Sequence, residues 1–229
     1  MTAWKERLNL LKYRGGFKAA VFWIIKAILR IEIHFLYTID LTKQQELSQS
    51  SRVKSENGTF RFLSLDTAQD ISMAPQGLID QIGLQSGSSV KQLIKNKTSV
   101  YAFIDQASIV SQMNICRRSV IQVDAPTYLD IKLSSGDAFL GYLFTYTQYR
   151  GMGTATLLLI EACAHMQRQG YLRIVTHIRS TNASSLNTFN KCGWSRVGWI
   201  FTSTAGRLLL TYCPQKIGIT ILASKRSGY

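Results

Sequence analysis

Gln148-Tyr149-Arg150-Gly151-Met152-Gly153-Thr154-Ala155 joins a β-rich run, residues 138–146, to a helical stretch, residues 154–169. Ala155, Leu158, Leu159, Ala162 and Met166 fall on one face of that helix, and Gly170 stops it. The first N–H groups of a helix have no partner inside it. Together with the helix dipole they favour an anion at that end. Glycines at 151 and 153 let the backbone approach a ligand without a Cβ in the way, and Arg150 adds positive charge. The stretch reads as a cradle for phosphate or pyrophosphate, or else as a tight strand-to-helix connection. It is not a Walker loop, because no Gly-Lys-Ser/Thr follows, and it lacks the third glycine of a dinucleotide fingerprint.

Downstream, residues 172–178 read as a strand, Asn182 as a helix N-cap, 184–191 as a short helix, and 194–201 and 207–212 as two more strands. Upstream, residues 60–65 alternate as a strand, Asp66 or Thr67 can cap a helix, and a helical stretch lies around 90–97. Strands at 99–105 and 108–116 are separated only by Gln106-Ala107, which predicts a hairpin. Further strand-like runs follow at 119–123 and 127–133. A strand–helix–strand unit amid so many strands predicts an α/β (α+β) domain, a mixed sheet with helices packed on it.

The polar stretch 42–57 reads as a linker, which divides the chain into a helical extension, 1–41, and a main domain, 58–229. Residues 17–36 mix bulky apolar side chains with Lys18, Lys26 and Arg30. They fit either a helix lying on an anionic membrane surface or a helix packed on the domain or on a second subunit of a homodimer. The run is interrupted too often for a spanning helix, and no cleavage site marks a secretory signal.

The 229 residues hold 27 Lys+Arg against 13 Asp+Glu, a net charge of +14. Such a surface attracts anions: nucleic acid, acidic lipid or phosphorylated small molecules. No helix-turn-helix, zinc finger or aromatic RNA-binding motif accompanies the charge, so nucleic acid is not the expected partner. Cys116, Cys163, Cys192 and Cys213 are too dispersed for a zinc site or a disulfide framework, so no metal is expected. Reduced thiols suit a cytoplasmic protein, one that could sit peripherally on the inner membrane face.

Gln148-x-x-Gly151-x-Gly153 resembles the Q/R-x-x-G-x-G/A signature of the GNAT acyltransferases, which bind the pyrophosphate of coenzyme A there. Asn182-x-x-Ser185-x-x-x-Phe189-x-x-x-Gly193-Trp194 resembles a second segment of that superfamily, N-x-x-A/S-x-x-x-Y-x-x-x-G-F. The resemblance covers about residues 58–212. It implies the GNAT fold, with splayed fourth and fifth strands that admit the pantetheine arm, and acetyl-CoA or another acyl-CoA as co-substrate. It also implies a small-molecule amine as acceptor. The residues it places at the coenzyme are Leu143, Thr145, Gln148, Tyr149, Arg150, Gly151, Met152, Gly153, Thr154, Asn182, Ser185 and Phe189.

GNAT enzymes usually transfer the acyl group directly to an amine, which must first lose a proton. Many relatives carry a Glu five residues before the Asn. His177 stands there, and its imidazole is the candidate base. Asp137 is a weaker rival. The family's usual acid is a Tyr where this chain has Phe189, so coenzyme A leaves as a thiolate, or Tyr146 or Tyr149 supplies the proton, or the domain binds coenzyme without efficient transfer. Gly136-Asp137-Ala138, Thr145 and the stretch 193–198 are similar to a bacterial subgroup linked to polysaccharide biosynthesis, which implies an amino-sugar acceptor. Amino acids, peptides and a purely coenzyme-binding role remain as alternatives.

Overall fold

The computed structural model describes residues 30–43, 60–123 and 129–224. Eleven strands and five α-helices run through these segments. The strands are β1 (Ile31–Asp40), β2 (Arg61–Leu65), β3 (Thr98–Asp105), β4 (Ser108–Cys116), β5 (Val120–Val123), β6 (Leu129–Lys132), β7 (Asp137–Thr145), β8 (Arg173–Arg179), β9 (Ser195–Ser203), β10 (Leu208–Tyr212) and β11 (Thr220–Ala223). The helices are α1 (Ala68–Met73), α2 (Gln76–Ser86), α3 (Val90–Lys95), α4 (Thr154–Arg168) and α5 (Ala183–Lys191). The large sheet has the order β10-β9-β1-β8-β7-β4-β3-β2, and a small one the order β11-β6-β5. This is the mixed α/β fold that the sequence predicts.

Strand alternation sorts the core into two faces. Tyr101 and Phe103 of β3, Leu140 of β7 and Ile174 of β8 pack with Leu158, Leu159 and Ala162 of α4 and with Phe189 of α5. On the opposite face Val100, Ala102 and Ile104 pack under α2 and α3. There too Leu36, Phe139, Val175 and Ile200 pack against Ile121, Ile131 and Ile221 of the small sheet. Helix starts follow their caps: Thr67 and Asp70 form a capping box on α1, and Ser89 caps α3.

The expected helical extension is corrected over residues 31–40. That segment is β1, paired antiparallel to β8 on one side and β9 on the other. Its sequence, IEIHFLYTID, is rich in the β-branched and aromatic residues that strands favour. Glu32, His34, Thr38 and Asp40 also alternate with apolar residues at the period of a strand, broken only at Leu36, although the apolar run before it invites reading one helix through both. The boundary at residue 58 therefore does not hold for β1, which lies inside the main sheet. Residues 1–29, with most of the 17–36 segment, and the linker beyond residue 43 lie outside the described residues. Among the described residues no helix is long and apolar enough to cross a membrane. All four cysteines are free, and Cys116, Cys163 and Cys192 are buried.

Because β1 bridges β8 and β9, a fragment beginning at residue 58 is expected to show no cooperative urea transition. Leu36 is fully buried in β1, and Leu36→Ala in the full chain is expected to cost about 2–5 kcal/mol. A cooperative fragment of full-length stability would show β1 to be dispensable.

Candidate functional site

The site begins where two strands part. Among the described strands, β7 and β8 form the one parallel pair, and they pair only from Asp137–Leu140 to Arg173–Thr176. Beyond that, β7 continues along β4 to Thr145, and β8 continues along β1 to Arg179. The facing edges of residues 141–145 and 177–179 are thus not paired with each other. At the fork the Thr176 hydroxyl donates to the Leu140 carbonyl at 2.7 Å.

On the helix side of the fork lies a cavity of about 570 Å³, between the end of β7 and the starts of α4 and α5. Gly153 is the N-cap of α4, with φ 73°, and no side chain caps the helix. Gly151 has φ 84°. Both angles lie in the left-handed region that glycine adopts without strain. A Cβ on either glycine would meet nothing within 4 Å, so the space over the turn is open. Arg150 Nε donates to the Thr145 carbonyl at 3.1 Å, which ties the turn back to β7. Arg150 and Lys191 give this cavity its positive lining. An uncapped helix, an open glycine turn and two cations fit the pyrophosphate of coenzyme A.

Of the residues named from the sequence, Leu143, Thr145, Arg150, Gly151, Gly153, Thr154, Asn182 and Ser185 line this cavity. Asn182 also caps α5, its side-chain oxygen accepting from the Ser185 N–H at 3.1 Å. Phe144, Ala155, Thr156, Ser184, Asn187, Thr188 and Lys191 join them without having been read from the sequence. Four expected contacts are absent from the lining. Gln148 and Met152 are exposed. Tyr149 packs edge-on against Phe60. Phe189 is buried in the core, edge-on to Trp194 at 4.8 Å.

On the opposite face lies a second cavity, of about 400 Å³. His34 of β1, Asn114 of β4, Gln122 of β5, Tyr142 of β7, and His177 and Arg179 of β8 reach it. The rings of His34 and His177 stand 5.3 Å apart, and Phe139 stacks on His177 at 5.9 Å. Burial pushes the His177 pKa down to about 3, with help from His34 and Arg179. His177 is therefore neutral at physiological pH, and a weak base. The Tyr142 hydroxyl donates to the Gln85 carbonyl at 3.0 Å, and burial raises its pKa to about 12. Asn114 is 7% exposed, and its Oδ1 accepts no hydrogen bond from any described residue. Buried polar groups are normally paired, so this oxygen is open to a ligand. Sequence reading missed His34, Asn114, Gln122 and Tyr142, because they come from four separate strands with no motif linking them.

Two proton-transfer expectations change. Asp137, the rival base, is held by Arg173 Nε at 2.9 Å and by the Ser134 N–H at 3.1 Å. Tyr146, the candidate acid, lines neither cavity. It packs edge-on to Phe144 at 5.1 Å and against the α2–α3 face, and burial raises its pKa.

The model of the acetyltransferase (GNAT) family matches residues 117–194, from the end of β4 through α5. The match takes in both sequence motifs and supports the GNAT resemblance. No curated protein sequence matches the chain. A tandem GNAT protein from the clavulanic acid biosynthesis pathway shares the fold at a TM-score of 0.51 and 11% identity, over 75% of this chain and 52% of that one. An acetyltransferase from the GNAT family of Novosphingobium aromaticivorans aligns at a TM-score of 0.47 and 14% identity, over 76% of this chain and 63% of that one. A Bacillus subtilis acetyltransferase in complex with CoA aligns at 0.42 and 12% identity, over 59% and 76%. The chain thus spans less than two thirds of the first two of these proteins.

The His177 environment has a measurable consequence. Below pH 6.5 an unfolded histidine takes up a proton that folded His177 refuses until about pH 3. Stability should then fall on acidification across that window, by about 1.4 kcal/mol per pH unit for such a group. Burial lowers the pKa of His165 as well, which adds a loss of the same sign. Between pH 6.5 and 4, Tm should fall less steeply in His177→Asn than in the parent. Equal slopes would contradict a neutral, half-buried His177.

Proposed function

We propose that this chain is an acyl-CoA-dependent N-acyltransferase of the GNAT superfamily, moving an acetyl group directly onto a primary amine. One observation carries the reading. An anion-ready cavity and a cavity lined by histidines and amides lie on opposite faces of the sheet, at the fork where β7 and β8 part. Arg150, the glycine turn and the first turn of α4 would hold the coenzyme pyrophosphate. The free edge of β7 near Leu143 would hold the pantetheine amides. When bound, acetyl-CoA supplies an electrophilic thioester carbon.

The chain's own part is to bring a neutral amine there. His177 is uncharged at neutral pH and accepts an N–H hydrogen bond from the amine. Being a weak base, it orients the amine rather than keeping its proton, which passes to solvent through the second cavity. Asn114 Oδ1, Gln122 and Tyr142 surround that space with amide and hydroxyl groups. Such a lining suits an acceptor bearing hydroxyls beside its amine, as an amino sugar does. Phe189 has no proton to give. A thiol with a pKa near ~8.5 can depart as a thiolate without one.

A second reading, coenzyme binding without turnover, is favoured by the same two residues: a weak base at 177 and a buried Phe at 189. Thiol release across a panel of amino sugars, amino acids and polyamines separates the two, since only an enzyme is accelerated by an amine. Isothermal titration should show acetyl-CoA binding, weakened about tenfold or more in Gly153→Val by backbone strain at a left-handed position. Absence of binding would sink the proposal. His177→Ala should lower kcat by about 10²-fold through lost orientation of the amine while leaving acetyl-CoA affinity unchanged, and unaltered turnover would remove His177 from the mechanism.

A further inference from the structure

Next to the cavity assigned to the acceptor lies another, of about 750 Å³, lined by Lys95, Lys97, Arg117 and Arg118. The two cavities share Asn96, Arg118 and Gln122, so they are contiguous. The cations come from the end of α3 with the turn after it and from the turn after β4, which are held together: the Arg117 N–H donates to the Lys97 carbonyl at 2.8 Å. Lys97 sits at φ 55°, a conformation that favours glycine, yet the position carries a lysine.

No described carboxylate forms an ion pair with Lys95, Lys97 or Arg118, whereas Arg117 shares its surroundings with the Asp66 carboxylate. Arg117 donates through Nη2 to the Asp66 backbone carbonyl at 3.3 Å, and its buried Nε has no partner. Arg118 Nε reaches only the Cys116 sulfur, at 3.5 Å. Asp137, the one carboxylate in the lining, is already paired with Arg173. Lys95, Lys97 and Arg118, gathered in a concave site whose one carboxylate is already paired, create a field that draws in an anion.

We propose that this basic cavity binds a phosphate group carried by the acceptor, so that the substrate is a phosphorylated primary amine whose nitrogen lies beside His177. The inference rests on the acyltransferase reading for the amine end. The phosphate end stands on the cation cluster alone. A molecule spanning both cavities is held by charge at one end and oriented by Asn114 and His177 at the other.

Two measurements on the full chain test it. The first is titration of inorganic phosphate in saturating coenzyme A, which keeps the glycine turn occupied. Binding is expected in the parent and lost in the Lys97→Gly/Arg118→Gln double variant. Lys97→Gly removes a charge at a left-handed position without adding strain, and matching Tm values exclude misfolding. The second compares glucosamine with glucosamine 6-phosphate, and ethanolamine with phosphoethanolamine, as acceptors. The phosphorylated member of at least one pair should show a kcat/KM higher by roughly tenfold or more, and the double variant should bring that ratio close to one. Equal kcat/KM within each pair, or a preference that survives the double variant, overturns the proposal while leaving the acyltransferase reading intact. Tighter binding of a single-stranded oligonucleotide than of any phosphorylated amine overturns it in favour of nucleic acid. If acetyl-CoA fails to bind, the acyltransferase reading falls, and the phosphate titration with its double variant still decides the cation site.

Discussion

The fork between β7 and β8 is the constraint on which the rest depends. A parallel pair that stops after Leu140 and Thr176 leaves two lengths of strand edge facing a gap. Unpaired backbone groups are costly unless water or a ligand satisfies them. The gap persists because each strand is held on its other side, β7 by β4 as far as Thr145 and β8 by β1 as far as Arg179. The Thr176 hydroxyl on the Leu140 carbonyl marks where the pairing ends. A sheet that splits while both halves stay anchored leaves a gap between the strands, and one cavity lies on each side of the sheet beside it.

Helix starts tell the same story. α1, α3 and α5 each begin on a side chain that accepts from their first turn: Thr67, Ser89 and Asn182. α4 begins on Gly153 and has no such cap. α2, entered through Pro75, lacks one too, but no glycine turn accompanies it. At fifteen residues α4 is the longest helix described, and its first turn opens into the cavity beside Arg150 and Lys191. A capping side chain there would compete with a phosphate for the same N–H groups.

The motif-bearing half of the chain was legible because its features are local. The 148–153 turn, the α4 stripe and the Asn182 cap each depend on residues within one or two turns of chain. The strands read at 99–105 and 108–116 survive as β3 and β4 with the two-residue hairpin between them. β1 was legible in part, since Glu32, His34, Thr38 and Asp40 alternate with apolar residues, but the apolar run before it invites reading one helix through both. Placements that depend on distant partners were not legible. Phe189 was placed at the coenzyme by its spacing from Asn182. In an α-helix that spacing sets which face a residue occupies, and here the face turns inward to Trp194. The histidine pair was beyond reach for the same reason, since its members lie far apart in sequence and meet only across neighbouring strands.

That pair changes the view of the N-terminal segment and of the base together. His34 lies on β1 and His177 on β8, and both belong to one cavity on one face of the sheet. A histidine taken alone on a strand suggests a base poised near neutral pH. Packed against a second imidazole, under Phe139 and beside Arg179, it resists a proton instead. Such a site cannot store the proton of an ammonium, but it can present a lone pair to a neutral amine. β1 therefore does more than complete the sheet: the segment read as an appendage supplies one wall of the cavity that holds His177.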